Sequence, residues 1–462
     1  MAQGNSVPLE LGKQKISRLL KQYALPAIIA QIAASLYNMV DSIFIGQGVG
    51  PLAISGLAVT FPLMNLSTAF GTLVGAGAAT MLSVLLGQKN YAAANKVLGN
   101  VISLNVIIGF AFMFIALIFI DPILYFFGAS GNTLPYAKEY MKVILYGNII
   151  THLYFGLNAA MRSTGNPRKA MALTIFTVIF NAVLDPLFIF VFDMGIAGAA
   201  WATVIAQSAA LIVVLSHFND RKKEVHFEKG IFRLDMRVAK DSLAIGFGPF
   251  LMNSAACLVS LFINQQLRKY SGDLGIGAYG ICNRINFMFI MICMGLNQGM
   301  QPIAGYNYGA RKYSRVKEVY WKTVWLAVAV TVLGFLVTEL FPRTVTGIFT
   351  KDAQLLDLSS SGIRIMNIML PIVGFQIVSS NLFQSLGMVR KSIILSLSRQ
   401  LLFLLPCLYF LPMAFGDKGI WMSYPVADAL ASILTIILLG RLLSKLGRLN
   451  DGDDPSILGS QI

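Results

Sequence analysis

The sequence predicts an all-α polytopic membrane protein with twelve transmembrane helices in two related six-helix bundles. Three observations support this fold class. The 462 residues are 56% hydrophobic and only 12% charged, whereas soluble domains carry roughly 25% charged residues. Twelve long apolar stretches follow one another along the chain. Several loop motifs recur at a constant offset of 222 residues.

Each apolar stretch is long enough for a membrane-spanning helix, which needs about 20 apolar residues. The stretches are too long and too uniformly apolar for barrel strands. The predicted spans of the first half are 22–47, 52–86, 97–120, 134–160, 170–192 and 195–217. Those of the second half are 240–267, 275–303, 318–341, 355–385, 392–414 and 418–441. The predicted division is an N-lobe at 1–217, a cytoplasmic linker at 218–238, a C-lobe at 239–441 and a cytoplasmic tail at 442–462.

The basic residues are distributed unevenly between the two sides of this predicted topology. The side that holds both termini carries 26 of the 36 Lys and Arg residues. The positive-inside rule therefore places both termini in the cytoplasm. The net charge of +15 is then explained by topology signals and contacts to lipid headgroups, not by nucleic acid. The first sixteen residues lack the apolar run of a signal peptide, so the first span is expected to be an uncleaved anchor.

The internal repeat is carried by short motifs at matching loop positions. Gly87-Gln-Lys-Asn-Tyr91 recurs as Gly309-Ala-Arg-Lys-Tyr313, and Gly165-Asn-Pro-Arg-Lys169 recurs as Gly387-Met-Val-Arg-Lys391. Because each half has an even number of spans, the second half begins on the same side of the membrane as the first. Parallel repeats of this kind are common in secondary transporters. The alternative is a duplicated membrane protein without transport activity.

Two carboxylates lie within predicted spans. A charge at the centre of a bilayer costs about 3 kcal/mol on insertion scales, so such residues are expected to face the bundle interior and to have a role. Asp41 follows Tyr37 and Asn38 at helical spacing, and Asp185 follows Asn181 by one turn. Pro186 cannot donate a backbone hydrogen bond and should kink the helix. Oxygen-rich clusters of this kind suit binding of a cation or uptake of a proton. The alternative is that either Asp simply bonds a neighbouring helix.

Other polar and adaptable side chains in the spans have less specific interpretations. Arg284, Arg364, Arg399 and Asp428 either bind anionic groups or pair with one another. Abundant methionines suit a promiscuous apolar pocket, although packing against lipid explains them equally well. The residues expected to line a substrate cavity are Asn38, Asn158, Met64, Met288 and Arg284. The spans contain no nucleotide-hydrolysis or hydrolase motif, so no catalytic residue and no enzyme activity are predicted.

Six segments, in this order along the chain, carry a resemblance to a known family: Pro26 to Gly46, Gly87 to Tyr91, Met161 to Pro167, Asn181 to Pro186, Gly195 to Thr203 and Gly419 to Trp421. Over nearly its whole length the chain resembles the multidrug and toxic-compound extrusion (MATE) family, in the bacterial branch related to DNA-damage-inducible export proteins. The resemblance implies two six-helix bundles that export amphipathic, often cationic drugs, driven by inward flow of H⁺ or Na⁺.

The resemblance also implies a cation site in the first bundle. Matched motif by motif, the site consists of Asp41, Asn181, Asp185, Thr203 and Tyr37, and the first four could hold Na⁺. Some family members carry a second carboxylate site in the other bundle. The corresponding spans here have no central Asp or Glu, which favours coupling through the first bundle alone.

The predicted function is therefore secondary active multidrug export by alternating access, as antiport of drugs against H⁺ or Na⁺. The expected setting is the bacterial cytoplasmic membrane, with a monomeric chain, lipid contacts, small-molecule drug substrates and no cofactor besides the coupling ion. One alternative is a flippase for lipid-linked oligosaccharide, which Arg284, Arg364 and Arg399 would suit. Another is a membrane-embedded enzyme or receptor.

Overall fold

The fold was analysed in a computed structural model. The structure describes residues 11–49, 51–228, 230, 233–350 and 352–454. Within the helices, the side chains of residues 36–43, 46, 47, 51, 54, 55, 268 and 273 lie outside the description.

The first half of the chain consists of helices that correspond to its predicted spans. These are α1 (Ile16–Gly48), α2 (Pro51–Gly87), α3 (Tyr91–Ile118), the short α4 (Ile120–Phe126), α5 (Leu134–Tyr146), α6 (Asn148–Ser163), α7 (Pro167–Pro186) and α8 (Gly195–Asn219). The predicted span 134–160 is thus two helices, α5 and α6. A π-helical segment, Leu187–Val191, continues α7.

The second half begins with α9 (Met236–Gly309), which breaks at Gly272 into two apolar parts, Met236–Leu267 and Leu274–Gly309. Gly272 has a φ of 64°, which a residue without a Cβ adopts readily. The remaining helices are α10 (Tyr313–Leu340), the short α11 (Pro342–Gly347), α12 (Ala353–Met366), α13 (Leu370–Ser385), α14 (Val389–Leu397), α15 (Leu405–Phe415) and α16 (Asp417–Gly447). The π-helical segment Ser398–Leu404 joins α14 to α15.

The fold class is confirmed. The described residues contain no strand. In this part of the chain nine helices are long and apolar enough to cross a membrane, and α12 with α13 forms a tenth span bent by 55°. The helix α1 and the pair α5–α6 lie at the positions of the other two predicted spans.

The internal repeat is also visible in the backbone. Lys89 and Arg311 both adopt positive φ angles, of 60° and 57°, and Gly165 and Gly387 do the same, at 94° and 69°. Each pair is separated by 222 positions in the sequence. The helices that follow begin at Tyr91 and Tyr313 in one pair and at Pro167 and Val389 in the other. The recurring motifs therefore form equivalent turns.

By packing, the chain divides into two compact units. Unit 1 is mainly Ile29–Phe250, and unit 2 comprises Gln14–Ile28 and Leu251–Gln461. The core of unit 1 includes Tyr140, Met141 and Leu145, and the core of unit 2 includes Ile363, Leu408 and Trp421. The start of α1 belongs to unit 2, and the start of α9 belongs to unit 1.

Candidate cation site in unit 1

Three of the predicted site residues form one buried cluster between α7 and α8, which we call the unit 1 cluster: Asn181, Asp185 and Thr203. The Nδ2 of Asn181 donates to Asp185 Oδ1 at 3.2 Å and to Thr203 Oγ1 at 3.3 Å. The Thr203 hydroxyl in turn donates to the backbone oxygen of Ala199 at 3.1 Å. The three residues are 2%, 0% and 7% exposed. The cluster is therefore enclosed in protein rather than open to solvent.

The local sequence explains how the cluster forms. Asn181 and Asp185 are four residues apart on α7, so their side chains share one face of the helix. Pro186 has no backbone N–H to continue the α-helical pattern. The chain responds by forming the π-helical segment, in which the Phe192 N–H bonds Leu187 O, five residues earlier, at 3.0 Å. The predicted disruption at Pro186 is thus a π-helix, a feature often found at functional sites.

The chemistry of the unit 1 cluster suits a small cation. It offers a carboxylate, an amide oxygen and a hydroxyl, which are the oxygen ligands that hard cations prefer. The Asn181 Oδ1 atom is buried and has no hydrogen-bond partner among the described residues. A buried acceptor without a donor is costly, and a bound cation would satisfy it. The residues present therefore fit Na⁺ or a proton as the bound species.

The other half of the predicted site lies on α1. Asp41, Asn38 and Tyr37 fall within this helix, but their side chains lie outside the described part of the chain. Their role stays a prediction.

The predicted cavity residues on described parts of the chain lie in different surroundings. Asn158 is 6% exposed and donates to the backbone oxygen of Ala170 at 3.2 Å. Met64 packs against the unit 1 core. In unit 2, Arg284 is exposed and Met288 is 66% exposed. No hydrogen bond among the described residues joins Asn158 or Met64 to the unit 1 cluster.

Two of the three arginines in predicted spans are paired with acidic residues. Arg364 bonds Glu339 through Nε at 3.0 Å, with both side chains partly exposed. Arg399 Nε lies 2.6 Å from Asp428 Oδ1, and the Asp428 side chain is only 6% exposed. Of the two alternatives left open by the sequence, mutual pairing is the one observed for Arg399 and Asp428.

A second buried polar group in unit 1 was not predicted as a group. The Ser67 hydroxyl donates to Asn148 Oδ1 at 2.5 Å, and His152 Nε2 lies 2.9 Å from Ser67 O. His152 is fully buried, and its Nδ1 has no hydrogen-bond partner among the described residues. The four-residue spacing of Asn148 and His152 places them on one face of α6, but their contact with Ser67 on α2 depends on helix packing.

Comparison with known proteins shows the family to which this chain belongs. The MatE family model matches residues 26–187 and 245–410, which is most of the chain. The chain belongs to the MatE family. The multidrug export protein MepA of Staphylococcus aureus (strain MRSA252) is 26% identical over 94% of this chain and 96% of its own length. MepA of Staphylococcus haemolyticus (strain JCSC1435) is also 26% identical, over 94% and 95%.

Solved structures of MatE proteins share the fold over nearly the whole chain. The MATE multidrug transporter DinF-BH, solved as a complex, is 36% identical, with a TM-score of 0.86, over 93% of this chain and 96% of that one. An outward-facing multidrug resistance MATE transporter of the MOP superfamily is 23% identical, with a TM-score of 0.89, over 96% and 99%. As a MatE protein, this chain is a multi-pass membrane protein with twelve helices in two bundles, as the resemblance implied.

Proposed function

We propose that this protein is a secondary active multidrug exporter, which moves amphipathic or cationic drugs outward in exchange for inward H⁺ or Na⁺. Its MatE membership supports the proposal, as do relatives named multidrug export protein MepA. A solved relative that is 36% identical to this chain, DinF-BH, is likewise a MATE multidrug transporter.

The unit 1 cluster is the observation that supports coupling of export to H⁺ or Na⁺. A fully buried carboxylate is stabilised by a compensating positive charge. A proton or Na⁺ supplies that charge, and the unbonded Oδ1 of Asn181 supplies a further ligand. We propose that Asp41 and Tyr37 of α1 complete this site, so that a third helix besides α7 and α8 responds to its occupancy.

Transport by alternating access would follow from differential binding. The coupling cation can shift the balance between inward-open and outward-open states only if it binds one state more tightly. The predicted setting is the bacterial cytoplasmic membrane with both termini inside, which the charge distribution supports.

The rival proposal, a flippase for lipid-linked oligosaccharide, required three arginines available to an anionic substrate. Glu339 and Asp428 neutralise two of them, Arg364 and Arg399. Of these three arginines, that leaves Arg284, which is exposed. The cationic character that favoured a flippase is therefore much reduced.

The proposal is tested by growth and ethidium-efflux assays in an efflux-deficient host. Asp185→Asn and Asp41→Asn each remove one carboxylate with little change in size, so efflux should fall to the level of the empty vector while membrane expression stays intact. Asn105→Ala, at a buried amide of α3 that bonds the Val101 backbone oxygen of its own helix, is the matched control and should keep most of its efflux. Efflux at the wild-type rate in both Asp variants would contradict a coupling role.

A further inference from the structure

Unit 2 also has buried polar residues between its fifth and sixth helices, but their chemistry differs from that of unit 1. In unit 1 the fifth and sixth helices are α7 and α8, which hold the unit 1 cluster. In unit 2 the fifth helix is formed by α14, the π-helical segment and α15, and the sixth is α16. Arg399 lies in that π-helical segment, and its partner Asp428 lies on α16.

The two polar sites lie at closely related positions of the repeat. With the offset of 222, Arg399 corresponds to Thr177, one helical turn before Asn181. The glycine pair Gly195 and Gly419 gives an offset of 224 for the sixth helix, and Asp428 then lies next to the counterpart of Thr203. Both fifth helices contain a π-helical segment. The same pair of helices therefore carries a polar site in each unit.

The charge of the two sites is balanced in different ways. In unit 1 an observed partner of the Asp185 carboxylate is the neutral amide of Asn181. In unit 2 the Asp428 carboxylate faces a guanidinium, which stays protonated at any physiological pH. We propose that the Arg399 side chain occupies the place of a monovalent cation beside Asp428, so that unit 2 holds a latent cation site filled by a tethered charge. This inference rests on the proposed function only where it compares Arg399 of unit 2 with a cation bound in unit 1.

The surroundings of Asp428 favour one positive charge beside its carboxylate. Its side chain is 6% exposed and that of Arg399 is 27% exposed, so an unpaired charge on either would be costly. One turn earlier on α16, the Tyr424 hydroxyl donates to Tyr279 Oη at 2.8 Å, and Cys282 lies close to Tyr279.

Charged groups on α12, which also packs against α16, have partners of their own. On α12, Asp357 pairs with Arg343 and Arg364 pairs with Glu339. The helices α13 and α15 carry no Lys, Arg, Asp or Glu, and the two basic residues of α14 lie at its start, in 390–391. Arg399 is therefore the basic residue that compensates Asp428.

The proposal is tested by removing the tethered charge. The purified full-length protein is compared as Arg399→Gln and as Arg399→Gln/Asp428→Asn, both in an Asp41→Asn/Asp185→Asn background. This background removes the carboxylates of the unit 1 site, so the result does not depend on the proposed function. Melting temperature in detergent is measured in NaCl against choline chloride, and at neutral against mildly acidic pH.

We expect Arg399→Gln to melt below the background protein and to recover a large part of the loss in NaCl or at lower pH, because Na⁺ or a proton then neutralises Asp428. The double variant should melt at a higher temperature than the single variant, and its melting temperature should respond to neither Na⁺ nor pH. Arg364→Gln, at the more exposed ion pair, is the control and should not respond.

Three results would overturn the proposal. The first is a melting temperature of Arg399→Gln that changes with neither cation nor pH. The second is an equal response in the double variant, because the responding group would then not be Asp428. The third applies if Arg399→Gln cannot be purified, in which case its yield of folded protein in membranes replaces the melting temperature. The proposal is then overturned if Arg399→Gln fails to accumulate even in high-Na⁺ and acidic media while the double variant accumulates.

Discussion

At the residue scale, Asn181 connects the other two members of the unit 1 cluster. Its amide nitrogen is the donor to both Asp185 and Thr203, and its amide oxygen has no hydrogen-bond partner among the described residues. We therefore propose that Asn181 positions the carboxylate and contributes a ligand to the bound cation.

We expect Asn181→Ala to weaken coupling-cation binding without changing the fold. Loss of a buried hydrogen-bonding group costs about 1–3 kcal/mol, which corresponds to roughly a 5- to 150-fold rise in the concentration of coupling cation needed for half-maximal efflux. The measurement is ethidium efflux from reconstituted vesicles as a function of that cation. Asn105→Ala serves as the control, and an unchanged cation dependence in Asn181→Ala would remove the amide from the site.

Parts of this cluster could be predicted from the sequence and parts could not. Asn181 and Asp185 stand out because an amide and a carboxylate one turn apart are unusual in an apolar span. Thr203 has no such signal, because a hydroxyl in a helix can bond its own backbone, and only the family resemblance assigned it. The group of Ser67, Asn148 and His152 joins two helices and required the packing to be known.

At the element scale, helix ends are held by the segments that follow each sixth helix. In unit 1, Asn95 of α3 accepts from the His226 N–H at 3.1 Å, and Asn100 exchanges two bonds of 3.0 Å with the Asp235 backbone. In unit 2, Asp451 accepts from the N–H and hydroxyl of Ser314 on α10. The linker and the C-terminal segment thus act on equivalent helices, a relation that the polar sequence of these segments did not predict.

We expect Asp451→Ala to loosen the start of α10. Burial tends to raise the pKa of Asp451, but the hydrogen bonds from Ser314 and Tyr313 and the charge of Lys317 outweigh it and lower the pKa below its usual value. The carboxylate therefore stabilises the contact at neutral pH, and this stabilisation is lost only as pH falls through that lowered pKa.

The measurement for Asp451 is amide hydrogen exchange, which should become faster at residues 313–316 in Asp451→Ala at neutral pH. The start of α3, bound by the linker, is the internal control and should exchange at the wild-type rate. Equal exchange of α10 in both proteins would mean that the C-terminal segment does not hold this helix end.

Two glycines at equivalent positions allow close helix contacts in each unit. A Cβ on Gly77 would lie 1.9 Å from the backbone oxygen of Ser242, and a Cβ on Gly299 would lie 2.5 Å from the backbone of Ala24. The two glycines are separated by the common offset of 222 positions, but this offset does not identify the helices that they contact. Each contact joins two backbones, so it cannot be relieved by moving a side chain.

Gly77→Ala and Gly299→Ala should therefore each destabilise the protein, by about 1–3 kcal/mol from overpacking. The measurement is the melting temperature in detergent. Gly280→Ala is the matched control in α9, because no heavy atom lies within 4 Å of its added Cβ. Alanine is the better helix former, so that variant should melt at the wild-type temperature or above. Equal melting temperatures for the three glycine variants would contradict the close backbone contacts at Gly77 and Gly299.

At the scale of the whole molecule, hydropathy and the repeat were sufficient for the fold class and for twelve spans, because long apolar helices leave few alternatives in a membrane. The breaks inside spans were less predictable. Pro186 indicated one disruption, but the π-helical segment around Arg399 has no proline at its start, and the break at Gly147 between α5 and α6 lies in an unremarkable apolar run.

The repeat of the fold does not extend to the proposed function. We propose that unit 1 binds an exchangeable cation beside its carboxylate, whereas in unit 2 the tethered guanidinium of Arg399 lies beside Asp428. Cation coupling is therefore assigned to one copy of a fold that is used twice.

The most direct test of this central claim is ethidium transport in vesicles with a Na⁺ gradient and a pH gradient imposed separately. We predict that one of the two gradients drives export by the wild-type protein and that neither drives export by Asp185→Asn, although the purified variant keeps the wild-type melting profile. Gradient-driven export by Asp185→Asn at the wild-type rate would contradict the assignment of coupling to unit 1.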